Sequence, residues 1–229
     1  MHSDATRPGD RVTRFLVIAS FAVAAAALLF PGLRPTLLLG AVWASPVLVL
    51  LGRHRHHPGA WPWAVVAGML TSWACGITAA GLLGPHHLVV PVCMGTGQAL
   101  GVVAVAHMVR QCARDRSQAP AEGPGRTLDV VVVVAVLVTV AAQLAAAGRM
   151  APYFVVVASV DIALLGAFVK LLVSRTGLTP ASQLFFACGL LSLAYDLSTA
   201  VQGSRVTDPG SPAAVLGILA VLASACAAM

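Results

Sequence analysis

Three ionisable side chains, Asp161, Lys170 and Asp196, fall inside the two apolar runs between Tyr153 and Gln202. A charge at the centre of a bilayer costs about 3 kcal/mol even on lenient scales, so such residues persist where they find partners, water or a use. A carboxylate pair in that setting can share a proton, hold a small ligand or accept hydrogen bonds across a helix contact. A lysine near a helix end can instead reach the headgroups. Which chemistry applies depends on depth and helical phase, and so on the elements that carry the three.

A helix crossing hydrocarbon needs roughly 17 to 25 apolar residues. Eight runs come close: 15–30, 36–51, 61–83, 88–109, 128–147, 153–174, 181–202 and 213–229. At 1.5 Å of rise per residue, Asp161 lies about 12 Å below the outer end of the sixth run and Asp196 about 9 Å below that of the seventh. A short polar turn joins these runs, which makes them antiparallel neighbours. The same slab holds Ser159, Ser192, Thr139 and Gln143, with Thr96 and Gln98 of the fourth run at similar depth. Together they form a candidate outward-facing pocket for a small ligand or a proton. The structural alternative is that each aspartate is protonated or hydrogen-bonded between helices, a glue of about 0.6 kcal/mol per contact.

Lys170 separates from the pair. It sits about half a turn round the helix from Asp161 and roughly 13 Å lower, close enough to the cytoplasmic end for its amine to snorkel. It reads as a topology anchor, with Arg175, Arg110, Arg114 and Arg116. Asp129 begins the fifth run, where a negative charge suits a helix amino terminus.

Composition supports the membrane setting. Of the 229 residues, 59% are hydrophobic and 10% charged, too little polar surface to cover a soluble globule. The formal net charge is +6, yet the basic residues lie between apolar runs and build no surface for nucleic acid. Counted on alternate sides of the eight runs, Lys and Arg number eleven against three, with only Arg34, Arg149 and Arg205 on the poorer side. The excess puts both termini in the cytoplasm. Arginine outnumbers lysine thirteen to one, a bias expected of a GC-rich genome. The expected organisation is a cytoplasmic segment over 1–14 followed by a polytopic domain over 15–229, with no cleavable signal peptide. The first two runs, separated by Pro31 to Pro35, form a tight hairpin or one re-entrant element. The eighth run stops at Met229 without a basic flank, so the natural protein is expected to continue into the cytoplasm.

Other chemistries find no support in the residue pattern. The five cysteines show no metal-ligand spacing and mostly lie in apolar runs, where a thiol behaves as a small hydrophobe. His54, His56 and His57 lie in a loop on the opposite face from His86 and His87, and His107 alone lies inside a run. Neither a metal nor any cofactor is expected, and no nucleophile elbow, phosphate loop or HExxH motif points to an enzyme. Gly97 and Gly101 make a GxxxG spacing suited to close helix approach. Pro46 and Pro91 are expected to kink the second and fourth runs.

Three stretches resemble a known family. Arg126-Thr-Leu-Asp129 leading to Ala151-Pro152-Tyr153, Val160-Asp161-Ile-Ala-Leu-Leu with Val169-Lys170-Leu-Leu, and Gly189-Leu-Leu-Ser-Leu-Ala-Tyr-Asp196 are similar to segments of a bacterial membrane input region. That region precedes diguanylate cyclase (GGDEF) domains, often with phosphodiesterase (EAL) domains, in signalling proteins of high-GC bacteria. The chain departs from it at Cys75-Gly76-Ile77, where the family usually has an aspartate, and at Pro91, Cys93 and Met94, where it usually has an aspartate and aromatics. The resemblance implies a sensory or anchoring module of the inner membrane, coupled to cyclic-di-GMP turnover by a domain beyond the carboxyl terminus. No GGDEF or EAL motif occurs in these residues, so no enzyme activity is expected of them.

The expectation is therefore an all-α integral membrane bundle of about eight transmembrane helices. Its partners would be the lipid bilayer, a second copy in a homodimer, and a small ligand or proton. A small-solute or proton-coupled transporter is the alternative reading.

Overall fold

The structure, a computed structural model, describes residues 8–53, 61–84, 86–115, 161–162, 165–166, 180–201 and 209–229. These residues are helical apart from short turns, with no strand among them. Six helices run in order: α1 (Pro8–Leu29), α2 (Arg34–Arg53), α3 (Trp61–Leu83), α4 (Val89–Asp115), α5 (Pro180–Val201) and α6 (Ala214–Ala228). Residues 161, 162, 165 and 166 are also helical. The fifth run and the rest of the sixth lie outside the described residues.

Four stretches, Val12–Leu29, Pro31–Arg53, Trp61–Leu83 and Val89–His107, are long and apolar enough to cross a membrane. Their outward faces carry large apolar side chains: Phe15 is 69% exposed and Leu82 80%. Water would penalise such a surface heavily; lipid tails solvate it. The chain is thus a membrane protein, with apolar residues outside as well as within.

Two helices outrun their apolar runs. α1 begins at Pro8, inside the segment read as a cytoplasmic tail, and α4 continues to Asp115, past the expected end at 109. Hydropathy marks the hydrocarbon edge, whereas a helix ends where backbone hydrogen bonding fails; proline suits a first helical position, and residues 110–115 contain no Pro or Gly.

The first two runs form a hairpin of separate helices, turned by a 3₁₀ stretch at Pro31–Leu33. Pro46 lies within α2, where it cannot donate to the carbonyl of Val42. The buried Ser45 hydroxyl donates to that carbonyl instead, at 3.0 Å, so α2 continues through the proline. Pro91 occupies the first turn of α4, where its missing N–H breaks no intrahelical bond, so it gives no interior kink.

α6 is the hub. It packs along α2 and α5, also meets α1, and twelve of its fifteen residues are buried, so it touches protein on nearly every side. Its small residues permit this approach. A Cβ on Gly217 would stand 3.0 Å from the Tyr195 ring, and one on Gly52 of α2 would run into the backbone carbonyl of Ala228. α3 bridges from α2 to α4. Trp43 Nε1 of α2 donates to Thr78 Oγ1 of α3 at 3.1 Å, and Ser72 Oγ of α3 donates to the carbonyl of Cys93 in α4 at 2.7 Å.

These contacts fix relative directions. Leu38 and Gly52 of α2 meet Gly217 and Ala228 of α6, so those helices are parallel; Cys188 and Tyr195 of α5 meet Ser224 and Gly217, so α5 and α6 are antiparallel. α3 and α4 are antiparallel, since Gly76 meets Cys93 and Gly68 meets Leu100. Asp115 and Pro180 accordingly lie towards one end of the bundle, and the turns at residues 30–34, 84–88 and 209–213 towards the other.

Candidate functional site

Asp161 is the most conspicuous buried charge among the described residues, 5% exposed in an apolar bundle. Its neighbour one turn on, Leu165, rests on Gly189 of α5, where an added Cβ would stand 3.1 Å from the leucine. That contact seats this helical stretch against α5. Asp161 thereby comes within hydrogen-bonding reach of Asp196 of α5 and Gln98 of α4. Two carboxyl groups bond directly to each other only through a proton, so this contact requires at least one of the pair to be protonated.

The second carboxyl oxygen of Asp161, Oδ2, is buried and has no hydrogen-bond partner among the described residues. Asp161, Gln98 and Ser192 also line a cavity of about 40 Å³ whose other walls are apolar and include Met69, Trp73 and Phe185. A water molecule needs about 10 to 15 Å³ on this measure, so the space admits two or three waters or a small ion. It is too small for an organic ligand, whose pockets run to about 300 Å³ and above.

The wall is built by close approach. Gly97 of α4 lies directly under the Trp73 indole, so the GxxxG glycine serves contact between α3 and α4 within the chain. Gly101, one turn on, faces the cavity. Towards the end nearer Trp61 and Pro180, Phe185 of the wall meets Trp63 edge to face, centroids 6.1 Å apart. On the α6 side, Cys188 Sγ and Ser224 Oγ are hydrogen-bonded at 2.7 Å, and Ser192 also engages Cys188.

Of the residues singled out from sequence, Asp161, Asp196, Gln98 and Ser192 come together. Thr96, placed in the same slab by depth, is exposed and turns its hydroxyl to its own helix, donating to the carbonyl of Val92 at 2.8 Å. Ser159, Thr139, Gln143, Lys170, Arg175 and Arg116 lie outside the described residues. Arg110 and Arg114 fall on the last turns of α4, not in a loop. Among the described residues no group of three or more His, Cys, Asp or Glu is placed to hold a metal.

The structure adds residues that the polar pattern did not point to. Trp73, Met69 and Phe185 form much of the wall, and Cys188 with Ser224 ties it to α6. Arg34, counted from sequence only as a loop charge, is a staple. Its Nε donates to the carbonyl of Ala27 and its Nη1 to that of Gly210, both at 2.8 Å, so it joins the end of α1 to the turn before α6. A cation there also suits the carbonyls of a helix carboxyl terminus.

Set against known proteins, the chain matches no family model, no curated protein and no solved structure.

Proposed function

We propose that this bundle is the membrane-embedded sensory or anchoring module of a bacterial signalling protein, in the inner membrane, with both termini cytoplasmic. Its eight crossings would comprise the six helices above and two more between Asp115 and Pro180. The excess of Lys and Arg on one side and the alternating directions of α1 to α6 support this topology. In this reading the site at Asp161 and Asp196 responds to a small ligand or proton, and α6 carries the response to a cytoplasmic output of cyclic-di-GMP turnover. The motif resemblance motivates the choice of output.

The observation that supports coupling is the short path from site to hub. Asp196 shares α5 with Tyr195, whose ring packs on Gly217, and with Cys188, which is bonded to Ser224 of α6. A change of charge or hydration at Asp196 therefore bears on the most enclosed helix of the bundle. The test is cyclic-di-GMP in cells carrying the complete gene with Asp161→Asn and Asp196→Asn. A changed level at unchanged membrane abundance supports sensing; an unchanged level removes it and leaves anchoring.

The acidic pair beside a water-sized cavity also suits a proton-coupled carrier, the second reading. A carrier needs a path on both sides of its site. The residues in contact on the side towards the start of α3 and α5, Trp63 and Phe185, are apolar rather than a polar continuation of such a path, which favours the sensor. Solute-driven proton flux into liposomes holding the purified protein would reverse that preference.

A further inference from the structure

Asp161 and Asp196 belong to separate helical stretches, and a contact between two carboxyls is one that a proton makes and its loss unmakes. Without that proton, two carboxylates at hydrogen-bonding distance repel each other. The neighbours supply no substitute. Gln98 of α4, the other side-chain partner of Asp161, is a neutral amide, and Oδ2 is buried without a partner among the described residues. Met69 and Trp73 of α3 and Phe185 and Ser192 of α5 do not titrate, and the thiol of Cys188 is bonded to Ser224 of α6. The carboxyl contact lies on the same seam as an apolar one, since Leu165, one turn on from Asp161, rests on Gly189 of α5.

We propose that the contact of Asp161 with Asp196 is a proton-held latch between the helical stretch bearing Asp161 and α5, closed by a shared proton and opened when that proton passes to water. The ligand of the site proposed above is then the proton itself. A cavity of about 40 Å³ with mostly apolar walls agrees with this, being far below the size of pockets for organic ligands. The closed form holds a proton that the open form gives up, so raising the pH favours the open form. Where the open pair is fully ionised, the ratio of open to closed rises about tenfold per pH unit for one proton. Opening bears on α6 through α5, by the packing of Tyr195 on Gly217 and the bond of Cys188 to Ser224. The inference rests on the reading of the pair as the responsive site, but not on any signalling output.

The test is infrared difference spectroscopy on the purified protein in nanodiscs, stepped in pH across the range where it stays folded. Tryptophan fluorescence, to which Trp73 in the cavity wall contributes, is read in parallel. The expected result is a reversible loss of the carbonyl stretch of a protonated carboxyl as pH rises, with a fluorescence change at the same midpoint. Asp161→Asn leaves an amide that donates to Asp196 without a shared proton, so the fluorescence response should flatten. Asp161→Asn with Asp196→Asn leaves no carboxyl to titrate and should lose both signals while the protein stays folded. A protonated-carboxyl band that persists unchanged over the whole range marks fixed glue and overturns the latch. So does a pH response that is the same in the native protein and the double variant. A titrating pair in a protein whose signalling ignores the double variant keeps the latch and removes the sensing role. Signalling altered by the double variant, with no titration in the native protein, removes the latch and leaves a sensor of another ligand.

Discussion

A carboxylate inside an apolar bundle depends on its few polar neighbours, and for Asp161 these are Asp196, Gln98 and the cavity. Asp161→Asn retains hydrogen-bonding capacity, so it should change stability by no more than about 1 kcal/mol, the scale of polar contacts between membrane helices. Asp161→Leu strips both partners, and should destabilise by about 2 kcal/mol through buried groups left unpaired. Equilibrium unfolding in mixed micelles separates the two; equal losses would mean that shape, not hydrogen bonding, decides the site. This pairing was legible because depth along a helix follows from residue number alone. Phase was harder, and Thr96 shows why: two residues from Gln98 it is more than half a turn away, and it faces outward. The apolar wall left no trace, since Trp73 and Phe185 in an apolar run look like any lipid-facing residue. Arg34 was read as charge alone because the carbonyl of Gly210, 176 residues away, is invisible to local pattern. Arg34→Ala should cost about 2 kcal/mol by the same unfolding measurement, the scale of hydrogen bonds from a charged donor. Arg34→Lys, which cannot span both carbonyls as a fork, should recover only part of that loss.

At the scale of the element, membrane helices keep their backbone bonded even where a residue removes a donor, and α2 does so with adjacent residues. Pro46 deprives the Val42 carbonyl of its N–H, and Ser45 supplies a hydroxyl in its place. The sequence marked Pro46 as a kink; that Ser45 would turn back to Val42 was not legible, because Ser side chains bond to several backbone positions at similar cost. Ser45→Ala should therefore destabilise by about 1 kcal/mol, leaving a fully buried carbonyl unpaired. In a Pro46→Ala background the amide at position 46 restores the bond, and the same Ser45→Ala change should be nearly neutral. Thermal unfolding of the four proteins in this cycle gives the coupling directly. Additive effects would show that the hydroxyl does not replace the missing amide.

For the whole molecule, the least convincing run in the sequence became its centre. The eighth run is short and rich in Ala, features that weaken it as a lipid-facing span but suit a helix enclosed by α1, α2 and α5. Hydropathy measures compatibility with lipid and says little of which helix other helices surround, so the membrane class could be read and the hub could not. The arrangement makes a firm demand on sidedness. Because α2 and α6 are parallel, Arg53 and Met229 must lie on one side of the membrane, and the turns at His86 and Pro212 on the other. In a background with the five native cysteines replaced, single cysteines at these four positions report this with a membrane-impermeant maleimide. His86→Cys and Pro212→Cys should label in intact cells, whereas Arg53→Cys and Met229→Cys should label only after permeabilisation. The opposite pattern for all four would invert the orientation inferred from the basic residues while keeping the bundle. Labelling of Arg53→Cys and Met229→Cys from different sides would break the parallel contact of α2 with α6, and with it the path from Asp196 through α6 on which the coupling depends.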